Sequence, residues 1–303
     1  MSENLKNTAA SVHQRLLNKA RETSRPFNEL LQHYASERFI YRLSRSPFAD
    51  RFILKGAMII STWSGPASRP TMDIDLLGNL NHGLDVIAEA MKTICEIVVE
   101  DDGLIFHADT VTASRIMEIA DYEGVRVRIQ GNLGNARVSL QIDVGFGDVI
   151  VPGPRKVTYP ALLDFPAPEL LGYTMESTIA EKYHAMANLG VLNSRMKDFY
   201  DIWMLSRTFN FRGEVLAEAV KKTFDNRSIP ISANPVVFDP SFAKDGDKNI
   251  QWRGFIRKAN LSGAPETFKE AATAVRAFLK PLVVSLAERL PFRKSWNAPG
   301  PWR

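Results

Sequence analysis

The chain has a single cysteine, Cys95, so no internal disulfide can form. That fits a reducing, intracellular setting, and a cytoplasmic location is the expectation. Cys95 lies in an apolar run and reads as a small core residue. No apolar run approaches the ~18 residues that a membrane span requires. The opening, MSENLKNTAA, lacks the charged-then-apolar pattern of an export signal. Neither G-x-S-x-G nor G-x-x-x-x-G-K-[ST] occurs, which removes support for a hydrolase elbow or a P-loop. The five histidines, at 13, 33, 82, 107 and 184, are scattered without zinc spacing. There is no internal repeat and no long low-complexity segment. Charge of one sign is not in large excess: net charge is +4 and the pI about 9.1. This mild basic bias permits a nucleic-acid partner without demanding one.

Hydrophobic residues make up 45% of the 303 and charged ones 24%, as in globular proteins with their own cores. The length suits two modest domains. The periodicities predict an α/β (α+β) arrangement: a mixed-sheet core with flanking helices over 1–165, then a mostly helical domain with a tail over 166–303. Residues 5–45 read as helices, with Leu16, Leu17 and Ala20 on one stripe and Phe27, Leu30, Leu31 and Tyr34 on another. Arg15, Lys19, Arg21, Arg25, Arg38, Arg42 and Arg45 make either a solvated face or a surface that tracks a phosphate backbone. A helix running into a strand is expected over 84–99. Strands are expected at 114–120, 125–129 and 138–144, with Gly124, Gly131 and Gly134 at the hairpin turns. The prolines at 152, 154, 160, 166 and 168 mark 151–168 as a connector. Further helices are expected at 177–189 (closing at Gly190), after Ser194 as N-cap, at 214–225 and at 266–290, with 229–248 as loop. Trp296 and Trp302 in the tail either stack on bases or dock on the protein itself.

The chemistry gathers at Lys55–Leu77. Phe52–Lys55 reads as a buried strand, Gly56 as a turn, and Ala57–Ile60 as the start of a short helix broken near Gly65-Pro66. Asp73-Ile74-Asp75 follows. Side chains at i and i+2 of a strand share a face, so the two carboxylates project together while Ile74 and Leu76 face the core. Like charges that close repel, and a divalent cation relieves the repulsion; Mg²⁺ is the usual partner of carboxylates facing phosphates, and two solvated aspartates at the end of an edge strand are the plain alternative. The glycine either makes an ordinary tight turn or lets backbone approach a ligand, and the helix N-terminus attracts phosphate. In the 138–144 strand, Asp143 shares its face with Ser139 and Gln141. It is either a surface carboxylate or the third carboxylate of a metal site. Arg195, Asp198 and Asp201 follow at i, i+3, i+6 on a helix, where a salt-bridge ladder with Lys197 is the plain alternative to a functional face.

Five stretches carry a family resemblance: F-I-L-K-G-A at 52–57, R-P-T-M-D-I-D-L-L-G at 69–78, Q-I-D-V-G-F-G-D at 141–148, E-S-T-I-A-E-K at 176–182 and S-R-M-K-D-F-Y-D-I-W at 194–203. In these the chain resembles the AbiEii/AbiGii-type nucleotidyltransferase toxins of the DNA polymerase β-like superfamily. It departs from the Gly-Ser form of the first motif at Ala57, so phosphate contact there would rest on backbone N–H groups. The resemblance implies transfer of a nucleotide from an NTP to RNA, including tRNA 3′ ends, in a toxin–antitoxin or phage-defence system with a protein antitoxin. It implies Mg²⁺ on Asp73 and Asp75, with Asp143 as third carboxylate. It implies a catalytic set of Asp73, Asp75, Lys182 and Asp198, and a nucleotide-binding set of Lys55, Gly56, Ala57, Arg69, Lys182 and Arg195. A phosphotransferase acting on a protein, or a non-catalytic NTP-binding module, are the alternatives.

Overall fold

The computed structural model describes residues 2–64, 69–117, 123–261 and 263–303. The chain divides into two compact units, Met1–Gly147 with Pro154–Tyr173, and Asp148–Gly153 with Thr174–Arg303.

The first unit begins with two helices, α1 (Ser2–Thr23) and α2 (Phe27–Ser44). Then come β1 (Phe52–Lys55), α3 (Gly56–Ser64), β2 (Asp73–Gly78), α4 (Leu84–Cys95), β3 (Leu104–Met117), β4 (Glu123–Leu133), β5 (Ala136–Phe146), β6 (Arg155–Thr158) and β7 (Glu169–Gly172). The sheet order is β3-β4-β5-β2-β1-β7-β6. β2 runs parallel to β5 and β1 parallel to β7, while the other pairings are antiparallel. The mixed sheet expected from the sequence is therefore present. Alternation sets its faces: Val138, Leu140, Ile142 and Val144 of β5 and Val125, Val127 and Ile129 of β4 are buried, and the residues between them face the other way.

α2 is buried on nearly every side, from Leu30 to Leu43. A helix so enclosed must pair its charges internally. Arg42 donates to both Asp102 carboxylate oxygens, at 2.7 and 3.0 Å, and Arg38 meets Glu37 at 2.7 Å. Arg38 is 1% exposed and Arg42 6%. These two arginines hold the core together and do not belong to a phosphate-tracking surface; sequence alone could not distinguish a solvated helix face from one enclosed by tertiary packing.

Several local expectations change. α4 ends at Cys95, and Ile97–Val99 join no strand, with Val98 exposed. Gly124 and Gly131 lie within β4, and the β4–β5 turn is the two-residue Gly134-Asn135, with Gly134 at φ +56°. The expected break at Gly65-Pro66 and the end of the 114–120 strand, 118–120, lie outside the described residues. The proline-bearing 151–168 is not wholly a connector. Its β6 segment, free of proline, pairs with β7 at the sheet edge. Cys95 is buried, and burial pushes its thiol up to about 12.

The second unit contains α5 (Met175–Leu189), α6 (Met196–Thr208), α7 (Gly213–Asn226), α8 (Pro240–Lys244), α9 (Gly246–Ala259) and α10 (Phe268–Ala287). A short ribbon pairs β8 (Phe211–Arg212) with β9 (Ser295–Trp296). Thr174 caps α5 by accepting from the Ser177 N–H, and Gly190 closes it at φ +50°. The α6 N-cap is Arg195 rather than Ser194; Asn193 Oδ1 accepts the Arg195 N–H at 2.8 Å. The 229–248 stretch is partly helical, because Asp239 and Asp245 cap α8 and α9. The tail docks on its own unit. Trp296 Nε1 donates to the Ser206 carbonyl at 2.6 Å, and Trp302 Nε1 donates to that of Phe278 at 2.7 Å, leaving neither ring available to bases. Among the described residues no helix is long and apolar enough to cross a membrane.

Candidate active site

The residues singled out by sequence fall in both units. In the first, cross-strand register builds the arrangement. Lys55 lies opposite Asp75, Asp75 opposite Asp143, and Asp143 opposite Arg126. Directly opposed residues share a face, so β1, β2, β5 and β4 contribute one continuous polar row. The adjoining row holds Asp73, Gln141 and Arg128. Ile74 and Leu76 are fully buried beneath, so the D-x-D alternation works as read.

Asp143 is held by a bidentate pair: Arg126 Nε donates to Oδ1 at 2.8 Å and Nη2 to Oδ2 at 2.7 Å. The Arg126 pKa is raised, first by its hydrogen bond to Asp143, with Asp73 and Asp75 contributing at longer range. One guanidinium therefore answers three carboxylates. Lys55 Nζ also stands 5.6 Å from the Tyr173 ring centre.

Gly56 joins β1 to α3 at φ +68°. A Cβ there would run into the Asp75 carboxylate. The position thus needs glycine for its backbone conformation and for the close approach of Asp75. Ala57, 5% exposed, continues the α3 N-terminus. Arg69 precedes β2 and lines a cleft with Arg25, His33, Ser36, Ser61 and Tyr159. His33 bonds the Tyr159 hydroxyl at 3.0 Å, and burial, aided by Arg25, lowers its pKa to about 4.

The chemistry of the donor set suits a small hard cation. Asp73 and Asp75 offer carboxylate oxygens from half-buried positions beside the tight Gly56 turn, and Mg²⁺ needs only one or two carboxylates when phosphates and waters complete its shell. Both Asp143 oxygens engage Arg126. Among the described residues no three or more His, Cys, Asp or Glu converge as a ready-made metal site.

In the second unit, Lys182 of α5 meets two buried aspartates of α6: Asp198 at 2.9 Å and Asp201 at 2.8 Å. Arg195 Nε meets the other Asp198 oxygen at 2.7 Å. Both aspartates are 0% exposed, Lys182 11%, and Arg195 42%. Burial drives the Asp198 carboxyl up, but Lys182 and Arg195 outweigh it and leave its pKa below the ordinary value. The expected ladder partner was Lys197; the pairing cation is Lys182, one helix away. Sequence reading assigned no role to Arg126. The signal was there: a two-residue turn at Gly134-Asn135 fixes the register that sets Arg126 against Asp143.

Among curated proteins, none matches this sequence. Among solved structures, MenT4, a nucleotidyltransferase toxin from Mycobacterium tuberculosis H37Rv, aligns with TM-score 0.53 and 16% identity, covering 94% of this chain and 99% of that one. This likeness shows a shared fold. Two Helicobacter pylori chains align less well. One has TM-score 0.45 and 14% identity, covering 87% of this chain and 98% of its own. The other, JHP933, has TM-score 0.40 and 13% identity, covering 85% and 93%. The family model for the AbiEii nucleotidyl transferase toxin of type IV toxin–antitoxin systems matches residues 38–274, most of the chain and both charged clusters. The chain belongs to that family: it is a nucleotidyltransferase toxin, with an NTP as substrate and an antitoxin as partner.

Proposed function

We propose that the chain transfers a nucleoside monophosphate from an NTP to the 3′ end of an RNA, with tRNA as the acceptor, in an Mg²⁺-dependent reaction. The reading rests on one observation above all: Asp73 and Asp75 on one strand, Asp143 directly opposite Asp75, and a glycine turn into which no side chain fits. Enzymes of this family generally use a divalent metal. Asp73 and Asp75 would hold it, and when bound it supplies charge neutralisation for the triphosphate and for the α-phosphate under attack.

The residues of the chain do the rest. The α3 N-terminus at Gly56 and Ala57 offers backbone N–H groups to phosphate oxygens. Lys55 adds a positive charge in the same row as Asp75. Arg126 holds Asp143 in one orientation and offsets the mutual repulsion of the carboxylates. Lys182 and Arg195 are the triphosphate-binding cations of the second unit; Asp198 and Asp201 fix the Lys182 ammonium. Arg69 serves as a further nucleotide contact. The acceptor hydroxyl gives its proton to solvent as its oxygen forms a new P–O bond at the α-phosphorus, and the α–β P–O bond breaks with its electron pair leaving on pyrophosphate. Catalysis is positioning and electrostatic stabilisation. The overall positive charge supports a polyanionic acceptor, and cellular defence against phage is the setting that the family resemblance suggests.

The test is to incubate the protein with α- and γ-labelled NTPs, Mg²⁺, total RNA and protein extract. α-Label at RNA 3′ ends is expected. γ-Label moving to protein identifies a phosphotransferase, and binding without transfer a non-catalytic module; either result overturns the reading.

A further inference from the structure

We propose that the groove between α8 and α10 of the second unit binds the phosphate backbone of the RNA acceptor; the proposal rests on the RNA reading above and assigns it a surface. On α10, Lys269, Thr273, Arg276 and Lys280 fall at i, i+4, i+7 and i+11, a single helix face. Lys269, Thr273 and Arg276 line one cavity, with Lys244 on its wall, and Arg276 and Lys280 line a second; the two share Phe238, Asp239, Pro240 and Arg276 and so adjoin along the α10 face. Lys244 and Lys269 are exposed, and Arg276 and Lys280 half-buried.

Four cations thus face one acid. Asp239 is already engaged. It caps α8, accepting from the Ser241 N–H at 2.7 Å and from the Ser241 hydroxyl at 2.6 Å. Those bonds, with Arg276 and Lys280 behind them, hold its carboxyl below the usual range. Among the described residues none of the four cations forms a salt bridge within 4.0 Å. Elsewhere in the same unit exposed lysines do pair, Lys221 with Asp225 and Lys222 with Glu218, at 2.7 Å. An unpaired cluster of like charges is repulsive by itself and is relieved by a polyanion. Lys269 to Lys280 spans about 16 Å of helix, long enough to meet several successive phosphates of one strand. The aromatic ring in the lining, Phe238, is buried at 4% exposure. The contact is therefore with phosphates rather than bases, and independent of sequence.

The experiment measures binding of labelled bulk tRNA to the full chain across salt, for wild type and for Lys269→Ala/Arg276→Ala/Lys280→Ala. At −0.7 to −0.9 per phosphate, losing three contacts should flatten the log–log slope by about 2 to 3. If that term vanishes near 1 M salt, affinity at 0.15 M falls roughly 50- to 150-fold. NTP affinity, read by calorimetry, should stay at the wild-type value. Lys221→Ala/Lys222→Ala is the control and should leave the slope close to wild type. Should the triple variant destabilise the helix, the single Lys269→Glu, at an exposed position, reads the same slope. A wild-type slope in both groove variants overturns the proposal while the RNA reading stands. Wild type that binds no tRNA at any salt, or that binds poly-glutamate instead, overturns both.

Discussion

Lys182→Met leaves Asp198 and Asp201 fully buried with their shared cation gone. Breaking a buried ion pair by removing one partner costs about 3–5 kcal/mol, and Arg195, still paired with Asp198, offsets part of that loss. At 2–4 °C per kcal/mol this lowers the unfolding transition by up to roughly 20 °C. The pH dependence carries a sign. In the wild type the Asp198 pKa is depressed, so its contribution is present above the ordinary carboxylate value and lost as pH falls through the folded value. In the variant Arg195 still faces the Asp198 carboxyl, so its pKa returns toward the ordinary value. The part of the deficit due to Asp198 is then full at pH 8 and shrinks as pH falls below the ordinary carboxylate value. The deficit should therefore be larger at pH 8 than at pH 3. Thermal unfolding followed by circular dichroism at both pH values checks this, and Lys182→Met/Asp201→Asn should recover part of the loss. A variant melting within about 2 °C of wild type at pH 8, or a deficit independent of pH, refutes the buried-triad account. NTP affinity measured well below that transition should fall about 10- to 150-fold, the value of a lost charge-assisted contact.

Asp73→Asn or Asp75→Asn should abolish transfer while the melting temperature without metal holds or rises, since each relieves repulsion on the polar row; full activity in both with Mg²⁺ present removes the pair from the mechanism. Gly56→Ala should destabilise by more than about 1 kcal/mol, because the site combines a positive φ with collision against Asp75, and should weaken divalent-cation binding measured by calorimetry. Arg42→Ala should lower stability by about 3–5 kcal/mol, seen in denaturant unfolding, without altering the salt dependence of RNA binding, because Arg42 serves Asp102 in the core.

The strands and carboxylates around the site were legible because their signals are local. Period-two alternation placed Ile74 and Leu76 inside and Asp73 and Asp75 on the other face, and did the same for β5. The glycine at 56 was legible as a turn. Its collision with Asp75 was not, since that depends on β1 lying beside β2. The arginines of α2 misled for a related reason. A helix with Glu37, Arg38 and Arg42 looks solvated until tertiary packing encloses it. The tail offered two outcomes, and the tryptophan N–H groups found carbonyls within the unit. The α10 stripe was written at 269, 276 and 280, yet helix periodicity of cations is common, and only the groove opposite gives it meaning.

Charge on the polar row leads to a last prediction. Asp73, Asp75 and Asp143 stand against Lys55, Arg126 and, in the row of Asp73, Arg128, a formal balance of zero. A neutral face draws a triphosphate weakly and holds a lone divalent cation only modestly. With the cation bound, the face turns positive and favours the triphosphate. Cation and NTP must therefore bind with positive coupling, which by thermodynamic reciprocity is the same measured from either side. A coupling of 1–3 kcal/mol, or 5- to 150-fold, is the usual size. Calorimetry can close the cycle: NTP with and without Mg²⁺, and Mg²⁺ with and without a non-hydrolysable NTP. Arg126→Gln removes one cation from the row, so it should tighten Mg²⁺ binding to the free protein and weaken NTP binding in chelator. NTP that binds equally well in chelator, or an Arg126→Gln variant with both affinities unchanged, shows that the row does not set the electrostatics of binding.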